Sequence, residues 1–260
     1  MKNIVWSPDQ YQAANVLARA AGDEMCERLE LIKIKPRFVL DVGCGTGEIS
    51  GKLASRFKEA NIIALDHTPA MLNKAKEDAR LKCIESDGTQ LPFKNASIDI
   101  IFANFFLPWQ TNMVATIKEW RRVLHPDGLL MFTALGPDTL LEWREVIHPK
   151  DLPELMDMHD LGDALLHEGF LDPILDIDHY TLAYRDQKKL ISELCATGMW
   201  AIDVASVEKG MQGRILPLEI SYELIYGHAF GAPIRNDTDP QVQRVPLSTL
   251  RAQLKQGRDA

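Results

Sequence analysis

FVLDVGCGTG, residues 38–47, decides the fold. Apolar Phe38, Val39, Leu40 and Val42 surround one acid, Asp41, and glycines follow at 43, 45 and 47. A short apolar run bounded by glycines reads as a buried strand that turns tightly into a helix. Glycine takes dihedrals closed to side chains and lets backbone come close to a bound molecule. The spacing is GxGxG. A dinucleotide fingerprint would carry its third glycine at position 48, which is Glu48. No Gly-Lys-Ser or Gly-Lys-Thr follows, so the loop is not a phosphate P-loop either.

Outward from this stretch, strands and helices alternate. Residues 8–32 carry apolar side chains at three- and four-residue steps and read as one amphipathic helix. After the glycine loop come a helix from Thr46 to Phe57 and a strand NIIALD, 61–66. Thr68-Pro69 opens a helix to about Ala79, with proline in its first turn. LKCIES (81–86) and IDIIFAN (98–104) read as the third and fourth strands. Met113 to Leu124 is a helix stopped by HPDG, 125–128, and LLMFTAL, 129–135, is a fifth strand. Pro137 starts a helix to about Ile147. Asp160 to Glu168 and Asp186 to Ala196 read as helices, Ile174 to Tyr184 as one or two strands, and Glu219 to Phe230 as a last strand. Strands this apolar imply an α/β fold, with a parallel sheet covered by helices on both faces. We expect one domain over 1–230, with the cofactor core at 36–147 and a substrate-side, sheet-completing part at 148–230. Residues 198–217 read as loop and 231–260 as a mobile tail.

Ligands in such folds bind beyond the carboxyl ends of the strands. Asp41, Asp66, Asp87, Asn104 and Leu135 stand there. An acid ahead of the glycine loop suits a ligand with positive groups better than a pyrophosphate. S-adenosylmethionine, with an ammonium and a sulfonium, is such a ligand. Asp66, 19 residues beyond Gly47, can accept from both ribose hydroxyls. Together VLDVGCGTG, ALDHTPAML, ESDGTQLPF and FANFFLPW resemble the class I S-adenosylmethionine-dependent methyltransferases. The resemblance implies a doubly wound, mostly parallel seven-stranded sheet whose last strand is antiparallel. It implies that Asp41, Gly43, Cys44, Gly45 and Gly47 hold the methionine end. It further implies Asp66 on the ribose, His67 and Met71 beside the adenosine, Asp87 and Gly88 near adenine, and Asn104 and Phe105 near the methyl. For Met71 and Phe105, core packing is an equally open reading.

Longer blocks narrow this. YQAANVLARAAGDEMCERL (11–29), EWRRVLHPDGLLMFTALGPDTLLEWRE (119–145), MHDLGDALLHEGFLDPILD (158–176), TLAYR (181–185) and YELIYGHAF (222–230) together resemble the malonyl-acyl-carrier-protein O-methyltransferase family of biotin synthesis. That family implies methylation of the free carboxylate of a malonyl thioester on acyl-carrier protein or coenzyme A. Such a carboxylate, with a reference pKa near 4, is ionised at neutral pH and needs no general base. No catalytic base is therefore assigned. The protein has to align oxygen, methyl and sulfur and exclude water. A bidentate arginine suits the carboxylate, and Arg144 is the candidate, against a solvated helix-face charge. Tyr11 and Trp109 are the other substrate-side candidates, against plain packing. Alternatives are a methyltransferase for another small carboxylate, a same-fold protein-arginine hydroxylase, and a non-catalytic assembly factor.

The bulk numbers bound the rest. A net charge of -8 argues against general nucleic-acid binding. Four scattered cysteines without a CxxC pair suggest reduced thiols and no structural zinc, and no metal site is proposed. No apolar run approaches 18 residues, and the first residues lack a signal peptide's apolar core. We expect a cytoplasmic monomer acting on neither nucleic acid nor membrane.

Overall fold

The structure, a computed structural model, describes residues 6–144, 155–198 and 217–232. Its strands are β1 (Phe38–Val42), β2 (Asn61–Asp66), β3 (Leu81–Glu85), β4 (Ile98–Ala103), β5 (Leu124–Leu135), β6 (Phe170–Tyr184) and β7 (Leu218–Gly231). Its helices are α1 (Pro8–Ala14), α2 (Val16–Glu30), α3 (Glu48–Arg56), α4 (Pro69–Ala75), α5 (Met113–Val123), α6 (Met158–His167) and α7 (Gln187–Ala196). One seven-stranded sheet runs in the order β3-β2-β1-β4-β5-β7-β6. β1 to β5 pair in parallel, and β7 is antiparallel to both β5 and β6. The expected doubly wound sheet with an antiparallel last strand is what the chain forms.

The apolar strands are explained by cover on both faces. On one face Val39, Ile100, Phe102 and Met131 pack with Met25 and Leu29 of α2, Leu53 of α3 and Leu190 of α7. On the other, Leu40, Val42, Ile101 and Leu130 pack with Ile117 and Trp120 of α5 and Leu161 and Leu165 of α6. Alternate side chains of one strand enter opposite cores, so a central strand has no polar side to show. β6, at the sheet edge, returns to alternating half-exposed positions.

The last two strands outrun the others. Leu135, the end of β5, pairs with Leu224, yet β6 and β7 stay paired as far as Tyr184 and Leu218. Six residues of each strand thus stand beyond the sheet's carboxyl end, roughly 20 Å of wall at strand spacing.

Several expected elements differ. The single helix over 8–32 is two, broken at buried Asn15, whose ψ of 33° leaves the helical range. Its side chain bonds Tyr11 and accepts from Arg19 (3.2 Å), the local competition that takes asparagine out of helices. The helix expected from Pro137 is, through Arg144, a turn followed by one 3₁₀ turn at Leu141–Trp143, and its expected end at 145–147 lies outside the described residues. The N–H groups of Gly136 and Leu140 go to carbonyls of Glu223 and Ser221 on β7, so the wall takes the bonds a helix would need. HPDG does not stop the chain: it lies within β5, which starts directly after α5 with a register shift against β4. α4 ends at Ala75, short of Ala79, and Thr68 caps it without a side-chain bond. The expected loop over 198–217 and the tail from 231 lie almost wholly outside the described residues. Among those described, no helix is long and apolar enough to cross a membrane.

Candidate functional site

Residues 39 and 41 share a face of β1, which turns Asp41 toward α2 and α3. Asp41 is 2% exposed, and the Ser50 hydroxyl of α3 donates to its Oδ2 at 2.5 Å. Among the described residues no cation pairs with it. Burial, with a smaller push from the Asp66 charge, raises its pKa to about 7 against the pull of Ser50. Burying a carboxylate is costly unless a cation pairs with it.

The glycine loop folds back on β2: the N–H groups of Gly43 and Cys44 donate to the Leu65 carbonyl at 2.8 and 3.0 Å. Gly45 takes a φ of +54° and donates to Asp66 Oδ2 at 3.0 Å. A Cβ there would meet only Tyr11 Cε1, at 3.7 Å. There the backbone dihedral, and not crowding, demands glycine. The other Asp66 oxygen accepts from the Thr68 N–H at 2.8 Å. Each carboxylate oxygen has room for a second donor, so Asp66 keeps two places for a ligand.

Tyr11, on α1, lies against this loop, with Asp66, Glu48 and Asp41 around its phenol. Burial first, then these three charges, push its pKa up to about 12. It stays protonated and is a donor at any ordinary pH. The structure thus gathers Asp41, the 43–47 loop, Asp66 and Tyr11 at one spot. Tyr11, expected on the substrate side, stands with the cofactor candidates. His67 is exposed beside Asp66 (3.6 Å), and Met71 is buried in α4. The Cys44 sulfur faces the Gly45 carbonyl at 3.7 Å, and burial pushes its thiol well above the ordinary range. Asp87 is exposed, its Oδ1 taken by the N–H and hydroxyl of Thr89 at 2.8 Å each. Gly88 is buried under Phe106 and Val42, and its carbonyl accepts from Trp120 Nε1 at 3.1 Å.

At the end of β4, Asn104 donates to the Ala18 carbonyl of α2 (2.7 Å) and accepts from the Thr133 hydroxyl (2.9 Å). That hydroxyl in turn accepts from the Phe105 N–H at 2.7 Å, and Phe105 has a φ of +53°. A side chain held in that region costs about 1–3 kcal/mol and persists only where its surroundings fix it. Thr133, fully buried on β5, does so here. Thr133→Val keeps the shape and deletes both bonds. We expect the melting temperature to fall by several degrees, about 1–3 kcal/mol for the orphaned groups, and cofactor affinity to fall with it. An unchanged melting curve and affinity would show that the network is idle.

Of the two remaining residues expected at the substrate, Trp109 sits in a one-turn 3₁₀ helix, Leu107–Trp109, half-buried against the core that includes Phe105, Leu135 and Leu140. Arg144 is exposed and reaches the Thr139 carbonyl at 3.4 Å. Its neighbour Trp143 donates to the Glu219 carbonyl at 3.0 Å, so Arg144 stands beside the part of β7 that rises beyond the sheet. Sequence reading passed over Ser50, Asn15, Thr133 and Glu223. Only Glu223 left a signal, an acid inside an apolar strand.

A methyltransferase-domain family model matches residues 40–132, the span that holds Asp41, Asp66 and Asn104. A curated malonyl-acyl-carrier-protein O-methyltransferase of Methylovorus is 36% identical over 250 residues, covering 85% of this chain and 84% of the relative. The chain belongs to the malonyl-acyl-carrier-protein O-methyltransferase family. Solved structures place the family's fold more broadly. The YcgJ protein of Bacillus subtilis has a TM-score of 0.64 at 16% identity, over 83% of this chain and 99% of that one. Phosphoethanolamine N-methyltransferase 2 of Haemonchus contortus, solved with S-adenosylhomocysteine, has a TM-score of 0.55 at 18% identity, over 81% of this chain and 53% of that one.

Proposed function

We propose that the protein methylates the free carboxylate of a malonyl thioester, using S-adenosylmethionine, in biotin synthesis. The observation that carries the cofactor is Asp41, buried beside Asp66 without a cation among the described residues. An ammonium in that place supplies the missing charge. Asp66 has two free acceptor places for the ribose hydroxyls, and Gly45 leaves backbone open to approach. When bound, S-adenosylmethionine supplies an electrophilic methyl on its sulfonium. The chain's own residues hold and orient: Asp41 takes the ammonium, Asp66 the diol, and Tyr11 offers a phenol donor over the loop. None of them has to remove a proton, because a malonyl carboxylate is already ionised. Arg144 and Trp109 are assigned to the acceptor, on the wall and at its foot.

Family membership supports the acceptor: the curated relatives carry malonyl-acyl-carrier protein in their names. In this reading the enzyme is a cytoplasmic monomer that takes the carrier-protein thioester or malonyl-coenzyme A, and its four thiols are unpaired. Incubation with labelled S-adenosylmethionine and malonyl-acyl-carrier protein should add one methyl to the acyl group by mass. Acetyl carrier, lacking the carboxylate, should stay unmodified. Silence with malonyl and succinyl carriers alike would remove the carboxylate-acceptor reading.

A further inference from the structure

Two distant blocks, GPDTL at 136–140 and YELIYGHAF at 222–230, meet where β5 ends. Glu223 is 6% exposed, and its Oε2 accepts from the Asp138 N–H at 2.6 Å. Its backbone carbonyl accepts from the Gly136 N–H (2.9 Å) and the Thr139 hydroxyl (3.2 Å), and its N–H donates to Thr139 Oγ1 (3.1 Å). Gly136 is pressed so close that a Cβ there would lie 2.4 Å from Glu223 Cδ. Beyond Thr139, Leu140 takes a φ of +58° and donates to the Ser221 carbonyl at 2.8 Å. The Thr139 carbonyl is the one Arg144 reaches.

Residues 225 and 229 of the same face enter the apolar core packed by α5 and α6. An apolar side chain at 223 would continue that core without the cost of burying a carboxylate. The acid is explained by what it holds, the loop that leads to Arg144.

We propose that Glu223 is a positioning residue for the methyl acceptor: its carboxylate clamps loop 136–140 to the β7 wall and so fixes where Arg144 stands. This rests on the acceptor reading above. Glu223→Gln keeps a carbonyl acceptor for the Asp138 N–H, whereas Glu223→Leu removes it at similar size. E223L should raise the KM for malonyl-acyl-carrier protein at least about tenfold, and E223Q by less than about threefold. S-adenosylmethionine affinity, by calorimetry, should stay within about twofold in both, because Asp41 and Asp66 are not touched. An unchanged acceptor KM in E223L overturns the proposal, as does a parallel loss of cofactor and acceptor affinity. Equal damage in E223Q and E223L overturns it too. If E223L does not fold, Thr139→Val, which releases the same loop from the same residue, must show the selective KM rise. Hydrogen exchange at the Asp138 and Leu140 amides reports the clamp without turnover. It should quicken in E223L even if the wild-type protein fails to methylate malonyl carrier, so the two failures are told apart.

Discussion

Asp66→Ala should leave a folded protein without measurable affinity for S-adenosylmethionine. Two hydroxyl bonds to an ionised carboxylate contribute about 1.5–3 kcal/mol each, which together correspond to two to four orders of magnitude in dissociation constant. The same substitution frees the Gly45 and Thr68 N–H groups, both held by this carboxylate. The loop therefore loses its template at the moment the ribose loses its acceptor. Asp66→Asn should fall between: one of its two atoms still accepts, while the other is a donor facing a donor. Calorimetric titration with S-adenosylmethionine and S-adenosylhomocysteine checks this, with melting curves to show that each variant is folded. An Asp66→Ala protein that binds within tenfold of wild type would dismiss the ribose assignment.

The second large effect is on pH. In the free protein Asp41 titrates near 7, far above an unfolded aspartate. Its contribution to stability is therefore complete below the unfolded value, near 4, and is lost as pH rises through about 7. Cofactor affinity runs the other way. The pair needs an ionised carboxylate and a protonated amine, so affinity should rise several-fold from pH 6 to about pH 7.5 and fall again as the cofactor's α-amino group, with a reference pKa of about 7.7–8.0, loses its proton. Below pH 7 each binding event should release roughly one proton, visible as a dependence of the calorimetric heat on buffer ionisation enthalpy. Asp41→Asn should be weaker at every pH, should lose the rise and should release no proton. A flat wild-type profile over this range would mean that Asp41 does not receive the cation.

What could be read from the sequence divides along physical lines. The strands of the core were legible because each is a short apolar run ended by an acid or glycine, and burial on both faces leaves such runs no alternative. Asp41 and Asp66 were legible for the same reason: an acid that closes an apolar strand stands out. Interactions between distant segments were not. The break at Asn15 leaves the apolar spacing of 8–32 intact, and only the bonds of its side chain to Tyr11 and Arg19 account for it. The helix drawn from Pro137 failed because its backbone donors are claimed by residues more than eighty positions away. Thr133 is one hydroxyl in an apolar run, and nothing local says that it supports Phe105.

The sheet order carries a consequence for the growing chain. Of the described strands β7 is synthesised last, yet it lies between β5 and β6. While the ribosome makes the stretch between, on the order of several seconds at 5–20 residues per second, the open edge of β5 has no neighbour. β6 emerges without a partner as well. The β1–β5 half can assemble as it leaves the exit tunnel, but the β6–β7 wall exists only once β7 slides into its slot. Stop codons before residue 218 should therefore give chains that keep the glycine loop and present two bare strand edges, a substrate for chaperones and for aggregation.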